Sequence, residues 1–166
     1  MGQEDINAVA SELKKLSPGY IPEPIFNEVA RLAVLTAIEF VPLRKNNDLV
    51  EVLLIRRTSD DPFWPSQLHT PGTILRANDT SFDDAYIRLF KDELNCEPLA
   101  LKFIGNNLIL NNRGRTVMFK YIVNVSGVST SGEFYDVNAL PDELLPEHRE
   151  LIHESVVYFN KQGQTL

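Results

Sequence analysis

The stretch from Phe63 to Glu97, FWPSQLHTPGTILRANDTSFDDAYIRLFKDELNCE, decides the reading of the whole chain. It reads as a short strand, a glycine loop and a helix. The loop centres on Pro71-Gly72, a pair that punctuates regular structure. Thr80 or Ser81 then offers an N-cap hydroxyl, with Asp83 and Asp84 in the first turn where the helix dipole favours acids. A helix is expected from there to about Leu94, with Asn95 as its stop residue. Ala85 with Leu89, and Phe82 with Tyr86, Phe90 and Leu94, recur at spacings of three and four, so two overlapping apolar rows make one broad buried face.

Asp92 and Glu93 fall in the last turn of this helix, and Arg88 lies one turn before Asp92. If the helix packs back on the loop, carboxylate oxygens of both acids converge with a carbonyl of Gly72 or Thr73. Such a set suits a hard divalent cation, magnesium with manganese as the alternative. An acid pair at a helix end is ordinarily just solvated, so the pair alone does not make a metal site.

The segment resembles the Nudix box, whose pattern is G-x5-E-x7-R-E-U-x-E-E-x-G-U with U aliphatic. Pro71, Gly72 and Thr73 fall on the family's P-G-G turn and Asp79 on its first glutamate. Arg88 matches the box arginine, Asp92 and Glu93 match its paired metal-binding acids, and Leu94 matches the residue after them. The resemblance is close over the box and loose elsewhere. One extra residue separates Asp79 from Arg88, which a longer loop before the helix would absorb. Thr73 and Asn95 replace glycines. Leu89 stands where the family has the glutamate directly after the arginine. Acids at i, i+3 and i+4 share one helix face, so losing one of the three predicts fewer or weaker metals. The run R-L-F-K-D-E-L also resembles the GDP-mannose mannosyl hydrolase branch, which displaces at the sugar carbon with help from a late-loop histidine. None of the three histidines here, His69, His148 and His153, lies in the late loop from Ser129 to Asp136.

Totals bound the remaining possibilities. A chain of 166 residues with 43% hydrophobic content can bury a core of its own as one domain. A net charge of −7 argues against a nucleic-acid backbone as partner, though not against a nucleotide whose charge a metal offsets. Cys96 is the only cysteine, so no internal disulfide is expected. No apolar run is long enough to span a bilayer and no signal peptide is visible, so a soluble cytoplasmic protein is expected.

Along the chain, Ile6, Val9, Leu13 and Leu16 suggest a first helix over Asp5 to Leu16, and Ile25, Val29 and Leu32 a short second one. Residues 1–32 are therefore expected as an N-terminal helical extension, most simply a cap on the core, and 33–166 as the Nudix-like domain. Ala33 to Leu43 and Leu49 to Arg57 read as a hairpin turning at Asn46-Asn47-Asp48. Arg56 and Arg57 emerge on opposite faces, so only one faces a ligand easily. Trp64 is a stacking surface for a base or sugar, or a core plug. His69 is read as structural. Leu99 to Leu110 and Thr116 to Val125 form a second strand pair, and Arg113 and Arg115 at its turn are either solvated or a phosphate clamp. With Leu89 unable to accept a proton, a base is expected from the later acids, Glu133 first and Asp136 second, or from metal-bound hydroxide. Pro141 to Asn160 is a C-terminal helix whose His148 and His153 are read as structural.

The irregular alternation of strands and helices predicts an α+β fold with a mixed sheet, in agreement with the alpha-beta-alpha sandwich that the resemblance implies. The expected function is magnesium-dependent hydrolysis of a nucleoside diphosphate linked to another moiety, a nucleotide-sugar among the candidates. The expected site comprises Glu93, Asp92, Arg88 and Glu133 as catalytic residues, with Asp92, Glu93, Gly72 and Thr73 around the metal. Arg57, Arg113, Arg115, Trp64 and Asp79 are expected to touch substrate. The alternative is a Nudix-like module that binds such a ligand without turning it over. A homodimer is compatible with the N-terminal addition, whereas nucleic acid and membrane are not expected as partners.

Overall fold

The computed structural model describes residues 2–126 and 131–161, apart from the side chains of Asp92, Glu97 and Ser126. Two helices, α1 (Gln3–Leu13) and α2 (Glu23–Leu32), precede a long strand β1 (Val34–Asn46). It turns through Asn47, which takes a left-handed φ of 55°, into β2 (Leu49–Arg56). Two short strands follow, β3 (Leu68–His69) and β4 (Gly72–Ile74), the second of which the sequence reading had as loop. Then come helix α3 (Phe82–Ile87), continued as a π-helical segment over Arg88–Leu94, and strands β5 (Glu97–Asn111), β6 (Gly114–Ser126) and β7 (Gly132–Asp136). Helix α4 (Pro146–Lys161) ends the described chain; it starts at the proline, where a missing N–H is harmless, and not at Pro141 as expected.

The strands make one mixed sheet in the order β3-β2-β1-β6-β5. Among the described strand pairs, β1 and β6 run parallel, in register from Val34 with Arg115 to Leu43 with Asn124. Beside β1, β2 pairs with its last four residues, and β4 with Ala37 to Glu39. Strand β7 pairs with the other edge of β2, from Glu51 to Ile55. The sheet is thus α+β and mixed, as the irregular alternation predicts.

Alternation along the strands sends neighbouring side chains to opposite faces. Ile38 and Phe40 of β1 join Leu53, Val123 and Val125 in a core that packs on Ala85, Leu89, Phe90 and Leu94 of the helix. Each of these large side chains contributes on the order of 2 kcal/mol through burial. Val41, Leu43, Val52, Leu54 and Ile122 face the other way and meet Leu151 and Ile152 of α4. The sheet is therefore sandwiched between α3 and α4. Further along that second face, where α4 no longer covers it, α2 contacts β6 and β1. The Pro18-Gly19 link settles against the box loop, since Gly19 (φ 93°) leaves no room for a Cβ beside the Asn78 side chain.

Candidate functional site

The box turn is pinned to β1 at both ends. The amide of Phe40 donates to the Pro71 carbonyl (2.8 Å), and that of Leu75 to the Thr36 carbonyl (3.0 Å). At Gly72 a side chain is impossible without displacement, because a Cβ there would overlap the carboxylate of Glu39. The helix begins as the sequence predicts, with the Asp84 carboxylate accepting from the amides of Thr80 (2.6 Å) and Ser81 (3.2 Å). It ends at Asn95 in the left-handed conformation (φ 48°).

Arg88 reaches back from the helix to Asp79 in a forked pair, Nη1 to Oδ1 at 2.5 Å and Nη2 to Oδ2 at 3.1 Å, and also donates to the Ile74 carbonyl at 3.3 Å. The hydrogen bond from Arg88 holds the Asp79 carboxyl below its ordinary range. So Asp79 sits under the arginine, and Arg88 staples the loop to the helix. Widening of the helix starts at Arg88 itself, so part of the irregularity that the extra residue predicts for the loop lies in the helix. Leu89 is completely buried in the core. Glu93 is exposed on the last turn, and the side chain of Asp92 lies outside the described residues. Among the described residues no three His, Cys, Asp or Glu side chains gather at one point. The donors the box offers, the Glu93 carboxylate and the turn carbonyls, are hard oxygens that fit magnesium or manganese, with one carboxylate fewer because Leu89 belongs to the core.

On the opposite side of the box turn lies a cavity of about 960 Å³. Its floor is the second face of the sheet, Ala37 and Glu39 of β1 with Thr116, Met118 and Lys120 of β6. Gly72 to Ala77 form one wall, α4 a second, and the N-terminal helices a third. Glu39, the one acid in the apolar strand, is 5% exposed yet satisfied. Thr70 donates its hydroxyl to Glu39 Oε1 at 2.5 Å, and His148 Nδ1 lies 2.6 Å from that hydroxyl and 3.3 Å from the carboxylate. The Thr70 amide also donates to His148 Nδ1, at 3.4 Å. His69 packs edge-on to His148 at 5.8 Å; burial first, then Arg57 and His148, push its pKa down to about 3.

Arg57 and Arg113 meet at one end of the cavity around Trp64. Their guanidinium carbons lie 4.9 and 5.2 Å from the indole centre, and Arg113 also lies over Phe63 (5.3 Å) and Phe26 of α2 (5.7 Å). Asp61 pairs with Arg57 at 3.0 Å. Burial, followed by Arg57, pulls the Arg113 pKa down. The Nε atoms of both arginines are buried without a hydrogen-bond partner among the described residues. Gly114 (φ 145°) makes this placement possible, because any Cβ there would run into the Ala30 carbonyl of α2.

The expected residues thus divide between two places. Arg57, Trp64, Arg113, Gly72 and Thr73 line the cavity, whereas Arg88, Asp79 and Glu93 do not. Arg115 is exposed and Arg56 donates to the Ser66 carbonyl at 2.6 Å. Glu133, exposed on β7, accepts the Tyr135 hydroxyl at 2.8 Å, and Asp136 caps the next turn through the Asn138 amide at 2.9 Å. His153 is exposed. Sequence reasoning missed Glu39, Thr70 and Phe26, and did not connect His148 with the box. A lone acid amid AVLTAIEFVPL was the available signal for Glu39.

No helix among the described residues is long and apolar enough to cross a membrane. No protein-family model matches the sequence, and no curated protein matches it. Solved structures do match. The Nudix domain of Shewanella oneidensis NrtR complexed with ADP ribose aligns at 17% identity and a TM-score of 0.63, over 84% of this chain and 99% of that one. NrtR complexed with a 27mer DNA aligns at 17% and 0.61, over 76% of this chain and 63% of the other. The C. elegans Ap4A hydrolase aligns at 15% and 0.59, over 76% and 99%. The fold of this chain is the Nudix fold.

Proposed function

We propose that the protein binds a nucleoside diphosphate joined to a second group and hydrolyses the diphosphate with a divalent metal. The observation that carries this reading is the pair of guanidiniums, Arg57 and Arg113, held together at Trp64 in a cavity walled by the box turn. Like charges are kept this close only where an anion, an aromatic face or both offset the repulsion. Arg57 and Arg113 would take the phosphate oxygens, with Asp61 fixing the direction of Arg57. Arg88 would keep the box turn in place through Asp79. Magnesium or manganese, held by Asp92, Glu93 and a carbonyl of Gly72 or Thr73, would neutralise and polarise the diphosphate when bound. The net charge of −7 keeps nucleic acid out of the proposal.

A second reading, binding without turnover, is favoured by one specific fact: Leu89 is a fully buried core residue, so the box has one acid fewer than the family pattern. Loss of a base typically lowers rates by about a hundredfold to ten-thousandfold. One experiment separates the two. ADP ribose, GDP-mannose and dinucleoside polyphosphates are offered with and without magnesium to the wild type and Glu93→Gln. Metal-dependent product release that the variant lacks supports hydrolysis. Thermal stabilisation by one compound with no product from any supports the binding module, and neither result removes both readings.

A further inference from the structure

We propose that the second group of the ligand is a hydrocarbon arm lodged between the N-terminal helices and the sheet, with the diphosphate at Arg57 and Arg113. This deepens the reading above and rests on it for the diphosphate. Two guanidiniums and one acid ion-paired to them, Asp61, leave that end of the cavity with unbalanced positive charge, which suits an anion. Much of the rest of the lining is apolar. Leu13, Leu16 and Ile25 of the N-terminal segment and Ile109 and Met118 of the sheet contribute to it, with Thr116 beside Ile109 and Asn107 beside Met118 in the strand register. Leu13 is 45% exposed, so hydrocarbon there lies against water unless something apolar covers it.

Size and charge agree with this division. A cavity of about 960 Å³ stands near the top of the range for small-ligand sites, roughly 300–1,000 Å³, with room for more than a headgroup. From its own wall α4 presents Glu147, Glu150 and Glu154, the last paired with Lys120 at 3.0 Å. These acids repel an anion and so fix which end the phosphates take. The apolar wall is formed in advance, because Gly19 closes on Asn78 and Gly114 on the Ala30 carbonyl, tying the helices to the box loop and to the β5–β6 turn.

Calorimetric titration of the full chain with inorganic diphosphate, geranyl diphosphate and ADP ribose tests the proposal. Each buried methylene tightens binding by about fourfold, so geranyl diphosphate is expected to bind at least a hundredfold more tightly than inorganic diphosphate. Ile25→Asn, and Met118→Gln from the sheet, should each remove about tenfold or more of that gain and leave inorganic diphosphate unaffected; melting curves confirm that each variant is folded. Arg113→Met should weaken all three ligands. Equal affinity for geranyl and inorganic diphosphate, or loss of both in the two wall variants, overturns the proposal. Turnover of ADP ribose together with no geranyl gain removes the hydrocarbon arm alone. A geranyl gain with no binding or turnover of any nucleotide removes the nucleoside and keeps the arm, and no binding of any probe removes both.

Discussion

At the scale of single residues, two buried ionisable groups define how this protein meets acid. His69 is neutral in the fold, its pKa held at about 3 chiefly by burial, whereas an unfolded histidine binds a proton near pH 6.5. Between those values the unfolded state carries a proton that the folded state refuses. Stability therefore falls as pH drops through this window, by about 1.4 kcal/mol per pH unit from this group. Denaturant titrations of wild type and His69→Gln between pH 7 and pH 4 should show the variant with a slope shallower by about one proton; identical slopes would mean that His69 is protonated in the fold. Asp79 acts lower on the scale. Arg88 depresses its pKa, so the stabilisation is present above the ordinary carboxylate range and is lost as pH falls through the lower folded value. The pair is partly enclosed, with side chains 16% and 6% exposed, and Arg88→Met leaves an acid without its cation. The expected loss is about 3 kcal/mol, or roughly 10 °C of Tm for a domain of this size, with a flatter acid limb below pH 4.

At the scale of elements, the box helix explains both what the sequence disclosed and what it withheld. Its cap, most of its apolar rows and its stop at Asn95 are local features, set by side chains within a turn of one another, and they were legible; Phe82, expected at the head of one row, is instead exposed. Leu89 was legible both as a missing acid and as part of the buried face, but its partners Ile38 and Phe40 were not, because they follow from the register of a strand fifty residues earlier. The same distance hid Glu39, which becomes a site residue only when β4 lays Gly72 beside it. Arg113 was one of two equal loop arginines in the sequence; Gly114, by closing on α2, turns it inward while Arg115 stays outside. The helix makes a clear forecast. Leu89→Glu restores the box pattern on paper, yet it places a carboxylate among Ala85, Phe90 and Val123. Destabilisation by about 3 kcal/mol or more is expected, read as a Tm drop with no new magnesium-dependent stabilisation. A folded variant that gains such stabilisation would show that the helix can rotate its face.

For the molecule as a whole, the sheet divides the work between its two faces. One face packs on the box helix; the other is shared between α4, which closes the core, and the N-terminal helices, which enclose a cavity instead of filling it. That division assigns different consequences to removing different ends. Helix α1 has no buried residue, and its Leu13, with Leu16 just beyond it, lines the cavity. Deleting residues 1–17 therefore removes surface and not core, and substitutions or losses of that kind commonly change stability by only about 0.5 kcal/mol. The Tm of the shortened chain should stay within about 2 °C of the full one. Its affinity for geranyl diphosphate should fall by about tenfold as the apolar wall opens, while inorganic diphosphate, held by Arg57 and Arg113 at the far end, should bind as before. A collapse of Tm would make α1 a brace for the sheet, and unchanged affinity for both ligands would show that the arm lies elsewhere. Loss of both affinities at unchanged Tm would mean that the helix positions the arginines through Phe26, so that the extension serves the phosphates directly.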